Sequence, residues 1–295
     1  MNAFTARFLL LALAAWAGDD GAANPLFRGL VERGVSIEEK TVKLPEPSLP
    51  DGLDAKEQTR IIERLVSKKY SYDQFVRQSP VAPFLLEMNT REATPGKAAG
   101  AGRVQQVDLW FVAYGDLQTV SDRQLLSQLA GGNRSSHARF ESLTDDELHR
   151  RNLSAGDEQD FKESYSHIEL PVLDKVQVSG IVHAATTHAR GAAVAAVVLE
   201  PALADDADFP ARWRPIARGE SGEPKLGKPQ AYTGLAAYVR VAELQEPAGA
   251  IWIECHLIFD EPQDWFHGAN LLRSKLPLVV QDSVRNFRRK LAEAK

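Results

Sequence analysis

The chain predicts an α+β fold, a mainly antiparallel sheet of about six to eight strands packed against a long C-terminal helix, with a short helix near the N-terminus. Strand-like segments come in pairs joined by short, turn-rich connections, which is the pattern of antiparallel hairpins. The helical patterns stand towards the ends of the chain instead of alternating with strands, so a parallel βαβ sheet is not expected. The last helix is the clearest: Leu276, Val280, Val284, Phe287 and Leu291 recur at helical spacing and form one continuous apolar face.

From the N-terminus, Arg7 precedes an uncharged run, Phe8 to Ala17, and Gly18-Asp19-Asp20 then turns polar. The Ala15-Trp16-Ala17 triplet offers small residues at the two positions a signal peptidase reads, so residues 1–17 read as a secretory signal peptide, with a second cut possible after Ala23. An apolar run of about ten residues falls short of the roughly 20 needed to span a bilayer. The expectation is an exported protein, periplasmic or extracellular in a bacterium, with no integral membrane insertion after cleavage. No cysteine follows the run, which argues against a lipid-anchored form.

Residues 18–52 read as an N-terminal arm, with a short helix over Pro25–Arg33, a strand over Thr41–Leu44 and an extended proline-rich linker from Pro45 to Gly52. Residues 53–295 read as a single α+β domain. It opens on an Asp54-to-Glu57 capping box, followed by Ile61, Ile62, Leu65 and Val66 on one helical face. Phe84–Met88 and Val104–Tyr114 flank a glycine-rich hairpin tip at 94–102. Helix starts are expected at Ser121–Gln124 and Thr144–Glu147. Val176–His188 with Ala192–Leu199, and Tyr232–Leu244 with Ile251–Phe259, read as two further hairpins. Residues 203–230, rich in Asp, Gly, Pro and basic residues, read as a long surface loop. Proline is tolerated only in a first turn, so the final helix should begin near Pro277. Arg285, Arg288, Arg289 and Lys290 should form a solvated, dipole-compatible end.

In element order alone, residues 54–292 resemble helix-grip domains, in which a curved sheet wraps a long C-terminal helix around an apolar cavity. The resemblance rests on no motif.

Composition narrows the function classes. Hydrophobic residues are 44% and charged residues 25%, values of an ordinary globular chain, which speaks against disorder, fibrous repeats and a polytopic membrane protein. The formal net charge of −5 and the lack of stacking aromatics beside the basic helix end speak against nucleic acid as a partner. One cysteine, Cys255, allows no internal disulfide and no cysteine-rich metal site; inside an apolar strand it reads as a core residue. No cofactor is expected.

Signatures of common hydrolases and of nucleotide binding (GxSxG, SxxK, HExxH and the P-loop) are absent. His183 and His188, an odd number of residues apart on a strand, fall on opposite faces and cannot share a metal unless a bulge intervenes. The densest polar set is Glu254, His256, Asp260, Glu261, Asp264 and His267. Glu254 and His256, two apart on a strand, share one face beside Trp252; they could be an acid–base pair or a solvated sheet face. Asp264 and His267 lie in the following loop and could close over them. Trp110, Val112 and Tyr114 share one face of a strand whose opposite face is also apolar, so that strand is buried on both sides or lines a cavity. The leading reading is non-catalytic binding of an apolar small molecule or envelope protein, with Trp110, Tyr114, Trp252, His256 and Trp265 as ligand contacts and no metal. The alternatives are a hydrolytic enzyme using Glu254 and His256 with Asp264 or His267, and a structural protein of an extracytoplasmic assembly.

Overall fold

The computed structural model describes residues 24–38, 40–91, 102–120, 138–158, 161–189, 191–219, 222–266 and 270–293. The expected signal peptide with both cut sites, most of the hairpin tip at 94–102, the helix start at Ser121–Gln124 and the candidate His267 lie outside these residues.

One antiparallel sheet organises the chain, as the paired strand patterns predict. Its long strands are β3 (Phe84–Arg91), β4 (Arg103–Tyr114), β7 (Phe161–Val172), β8 (Val176–Ala189), β9 (Ala192–Leu199), β13 (Leu235–Glu243) and β14 (Ala250–Glu261), in the spatial order β7-β8-β9-β13-β14-β4-β3. Short strands β5 (Arg139–Ser142) and β6 (Asp157–Glu158) pair with β7. Strand β10 (Arg212–Arg218) pairs with β8 and carries β11 (Pro224–Leu226) and β12 (Gln230–Ala231). This corrects the expectation of a long surface loop over 203–230: the segment completes the sheet, with Trp213 buried. Strand β8 changes neighbour part-way, pairing with β10 through Ser179 and with β9 from Val182. Gly180 sits at the change with φ 152°, where a Cβ would lie 2.8 Å from Leu199 Cδ1; only glycine fits both constraints.

The final helix, α6 (Leu271–Glu293), covers one side of β3 and β4. Its predicted stripe is buried in full and joins Val107, Leu109, Phe111, Ile253, Cys255, Leu257 and Phe259 in the largest core. The helix starts six residues before Pro277, not at it, so Arg273 lacks the amide donor a residue four further on would give; burial of Leu272 and Leu276 holds the extra turn in place.

The opposite side of the sheet is also covered. Helix α1 (Pro25–Arg28), extended by a π-helical turn to Arg33, packs with β1 (Val35–Ile37) and β2 (Lys40–Val42) onto Val194, Ala196, Val198, Tyr238 and Ile258. Asn24 caps α1 by accepting from Phe27 N and anchors it by donating to the Ala185 carbonyl. Helix α2 (Ala55–Val66), opened by its Asp54/Glu57 capping box, and α3 (Tyr72–Phe75) bring Ile62, Val66 and Phe75 onto Trp110, Val112 and Trp252. The proline-rich stretch between β2 and α2 is extended, and burial of Leu44 and Leu49 makes it a strap across the sheet. Among the described residues, the short α-helices α4 (Leu117–Val120) and α5 (Asp145–Arg150) lie at strand ends; the second has the expected Thr144/Glu147 capping box.

Candidate functional site

Period-two alternation sends Glu254 and His256 of β14 to the face beneath the strap. Register brings Asp108 of β4 opposite His256 on one side and places Arg240 of β13 opposite Glu254 on the other. Four ionisable side chains from three adjacent strands thus meet on one face. Glu254 is 0% exposed and His256 1% exposed. The two are therefore neither a solvated sheet face nor an accessible acid–base pair.

The contacts explain how charge survives there. Asp108 Oδ1 and His256 Nδ1 are 2.7 Å apart, and Gln106 Nε2 donates to both Asp108 oxygens at 3.2 and 2.9 Å. Glu254 Oε2 accepts from Ser48 N at 2.8 Å and lies 3.6 Å from His256 Nε2. Arg240 stands 3.7 Å from Glu254 Oε1 and reaches Asp51 at 2.6 Å. Burial disfavours the imidazolium, but the Asp108 hydrogen bond and the nearby Glu254 outweigh it, so the His256 pKa lies above its ordinary value. With His256 protonated, two carboxylates face two cations, which is the condition for keeping ions in a low-dielectric interior. The strap closes the set: Trp110 Nε1 donates to Ser48 Oγ at 2.9 Å and the Tyr238 hydroxyl to the Pro45 carbonyl at 2.9 Å. The arrangement holds protons and charge firmly and gives a substrate no entry.

The other expected site residues do not converge there. Asp264 is exposed in the turn after β14, so the structure does not bring it onto Glu254 and His256. Trp110 and Trp252 share the strap side, and Tyr114 donates its hydroxyl to the Val76 carbonyl at the end of β4. Trp265 lies on the α6 side, in a different core. The five expected ligand contacts are therefore split between two faces.

Around Trp265 the α6 side is built from aromatic rings. Its indole stacks on Tyr232 at 5.7 Å and Phe259 at 6.2 Å between centroids, and meets Trp213 and Phe266 edge-on. Its Nε1–H is buried and has no acceptor among the described residues. Sequence reasoning selected Trp265 but not Tyr232 or Trp213, which lie in or beside the stretch read as a loop. It also passed over Asp108 and Arg240, charges set among apolar residues in strands whose register with β14 is not legible locally.

Among the described residues no group of three or more His, Cys, Asp or Glu side chains is placed to hold a metal ion, and no helix is long and apolar enough to cross a membrane.

The fold and site define an α+β protein with a two-sided sheet, an internal ion network on one face and an aromatic-lined core on the other. No family model matches the chain, and no curated protein matches it. Among solved structures it is similar to the human StarD13 (DLC2) lipid transfer and protein localization domain, at 5% identity over 79% of this chain and 95% of that one, with a TM-score of 0.37. It is also similar to human STARD10, at 8% identity over 83% and 82% of the two chains, with a TM-score of 0.33. Likeness at this level assigns no function.

Proposed function

We propose that this chain is a non-catalytic binding protein that takes an apolar small molecule against the α6 side of its sheet. The observation that carries the reading is the buried Trp265 Nε1–H, which lacks an acceptor among the described residues inside a set of aromatic rings. A buried donor without a partner is costly, and an apolar ligand bearing one carbonyl or ester oxygen would satisfy it. The turn carrying Trp265 (Gln263–Trp265) leads into α6, so a small outward movement of that turn and helix would admit the ligand. The inaccessibility of Glu254 and His256 supports binding over hydrolysis.

Export fits the same reading, because the run from Phe8 to Ala17 has the composition of a leader. N-terminal sequencing of the protein from its own cells should start at residue 18 or 24; an intact residue 1 rules out export by this route.

The binding test uses organic extracts of the purified full chain, analysed by mass spectrometry, followed by titration of the stripped protein with a fluorescent fatty-acyl ester. Saturable binding is expected, with W265F weakening it about two- to tenfold, the value of one hydrogen bond. No copurifying apolar compound together with no saturable titration overturns the proposal.

A further inference from the structure

The basic end of α6 is not uniformly solvated. Arg288 is 6% exposed, and its guanidinium is spent on main-chain carbonyls: Nε donates to Val112 O at 2.8 Å, Nη2 to Pro83 O at 2.8 Å, and Nη1 to Ala82 O. Three of its five N–H groups are thereby used, and the group also lies 5.6 Å from the Phe111 ring centre. No carboxylate pairs with it among the described residues, although a buried cation ordinarily requires one. Burial alone lowers its pKa to about 10.

Beside this cation lies a cleft of about 300 Å³, bounded by Ser79 and Pro80 before β3, Val112 and Tyr114 of β4, and Arg288 and Ala292 of α6. Its volume is at the lower end for small-molecule sites. Arg285, Arg289 and Lys290 add positive charge to the same helix end against Glu293. The walls are mostly apolar, with Gln78 and Ser79 as the uncharged polar residues beside Arg288.

We infer that this cleft binds a small organic monocarboxylate, its carboxylate on the free N–H groups of Arg288 and its apolar body against Pro80 and Ala292. A guanidinium presents a planar fork that matches a carboxylate, and three carbonyls already fix its orientation. The inference is independent of the apolar-ligand reading. Trp252 pairs with Val112 and Phe259 with Gln105, so the cleft and the Trp265 set lie at opposite ends of β14, roughly 20 Å apart at the rise of a strand.

The test is calorimetric titration of the full chain with benzoate, and with benzamide as the uncharged equivalent. Benzoate should bind at least tenfold more tightly than benzamide. A292F, at the exposed rim of the cleft and clear of the Arg288 hydrogen bonds, should fill the space and abolish benzoate binding while circular dichroism and melting stay unchanged. R288Q, where it folds, should also lose binding. Absence of benzoate binding to the wild type, equal affinity for benzamide, or undiminished binding by folded A292F overturns the assignment.

Discussion

Two histidines of the sheet are each flanked by two carboxylates, and they show what burial does to the same chemistry. His256 stands between Asp108 and Glu254 beneath the strap, and Arg240 adds a guanidinium beside Glu254. His183 of β8 bonds Glu163 through Nε2, lies 3.6 Å from Glu200 through Nδ1 and stacks on Tyr165 at 4.5 Å. Its side chain is 15% exposed, and those of its carboxylate partners are 23% and 18% exposed. The sealed cluster must balance its own charge, so its residues depend on one another. The open cluster shares that task with solvent, so its residues are separable.

The largest expected difference follows from removing one charge in each place. E254Q leaves Arg240 and His256 buried with one counter-ion fewer and should cost about 3–5 kcal/mol in urea unfolding. E163Q removes the equivalent partner from His183 where water can take its place, and should cost about 1 kcal/mol or less. Equal losses would show that burial does not separate the two clusters.

Next in size is a pH effect at the lower end of the strap face. Asp260 is buried, its Oδ2 accepts from Thr233 Oγ1 at 2.8 Å, and its Oδ1 has no partner among the described residues. Burial, reinforced by the nearby Glu38 and Glu261, pushes its pKa up to about 7. The folded state therefore holds this proton more tightly than the unfolded chain. Its stabilising contribution is complete at acid pH and is lost as pH rises from about 4 through about 7. The raised pKa of His256 acts with the same sign at higher pH: its contribution is full below about 6.5 and disappears as pH rises through the folded value. Stability should fall from pH 5 to pH 8. D260N should remove the Asp260 part, leaving the variant about 1–4 kcal/mol more stable than the wild type at pH 8. A flat wild-type profile, or a D260N profile parallel to it, contradicts this account.

The same contrast explains what could be read in the sequence. The α6 stripe, the two capping boxes and the three hairpins are local patterns, and each is present in the structure. Of the strands that escaped, the two longest did so because they look polar. In β7, Glu163, Ser164, Ser166, His167 and Glu169 interrupt the apolar alternation, and β10 has three arginines and a proline around one buried Trp213. Both are specified by their pairing with β8, which local pattern does not contain. The site was half legible for the same reason. Glu254 and His256 are two residues apart, whereas Asp108 and Arg240 reach them through register across β4, β14 and β13. Arg288 resembled its solvated neighbours because its carbonyl partners are more than 170 residues away in sequence.

A smaller effect tests the rim of the sealed cluster. Arg240 joins the buried Glu254 to Asp51, whose side chain is 62% exposed. The exposed half of this chain of charges is screened by water, so D51A should cost only about 0.2–1 kcal/mol, and added salt should reduce that cost. A loss as large as that of E254Q would place the anchor of the strap at Asp51 instead of Ser48.

The smallest effect gives the two histidine clusters opposite signs. The neighbouring His183 imidazole holds the Glu200 carboxyl below its ordinary pKa, and the Ala202 amide that Glu200 caps adds to this. A depressed carboxylate stabilises the fold above its unfolded pKa and loses that contribution as pH falls through the folded value, so this cluster weakens on the acid side while the His256 network weakens on the alkaline side. H183A should remove a few tenths of a kcal/mol, up to about 1 kcal/mol, of stability at pH 6. The difference from the wild type should shrink as pH falls through the folded Glu200 value, because the carboxylate is then protonated. Urea midpoints of H183A and H256A across pH 4 to 8 would locate both effects in one experiment. If the two difference curves slope the same way, the contrast between the open and the sealed cluster is wrong, because the sign of each slope is set by which partner keeps its charge when water is excluded.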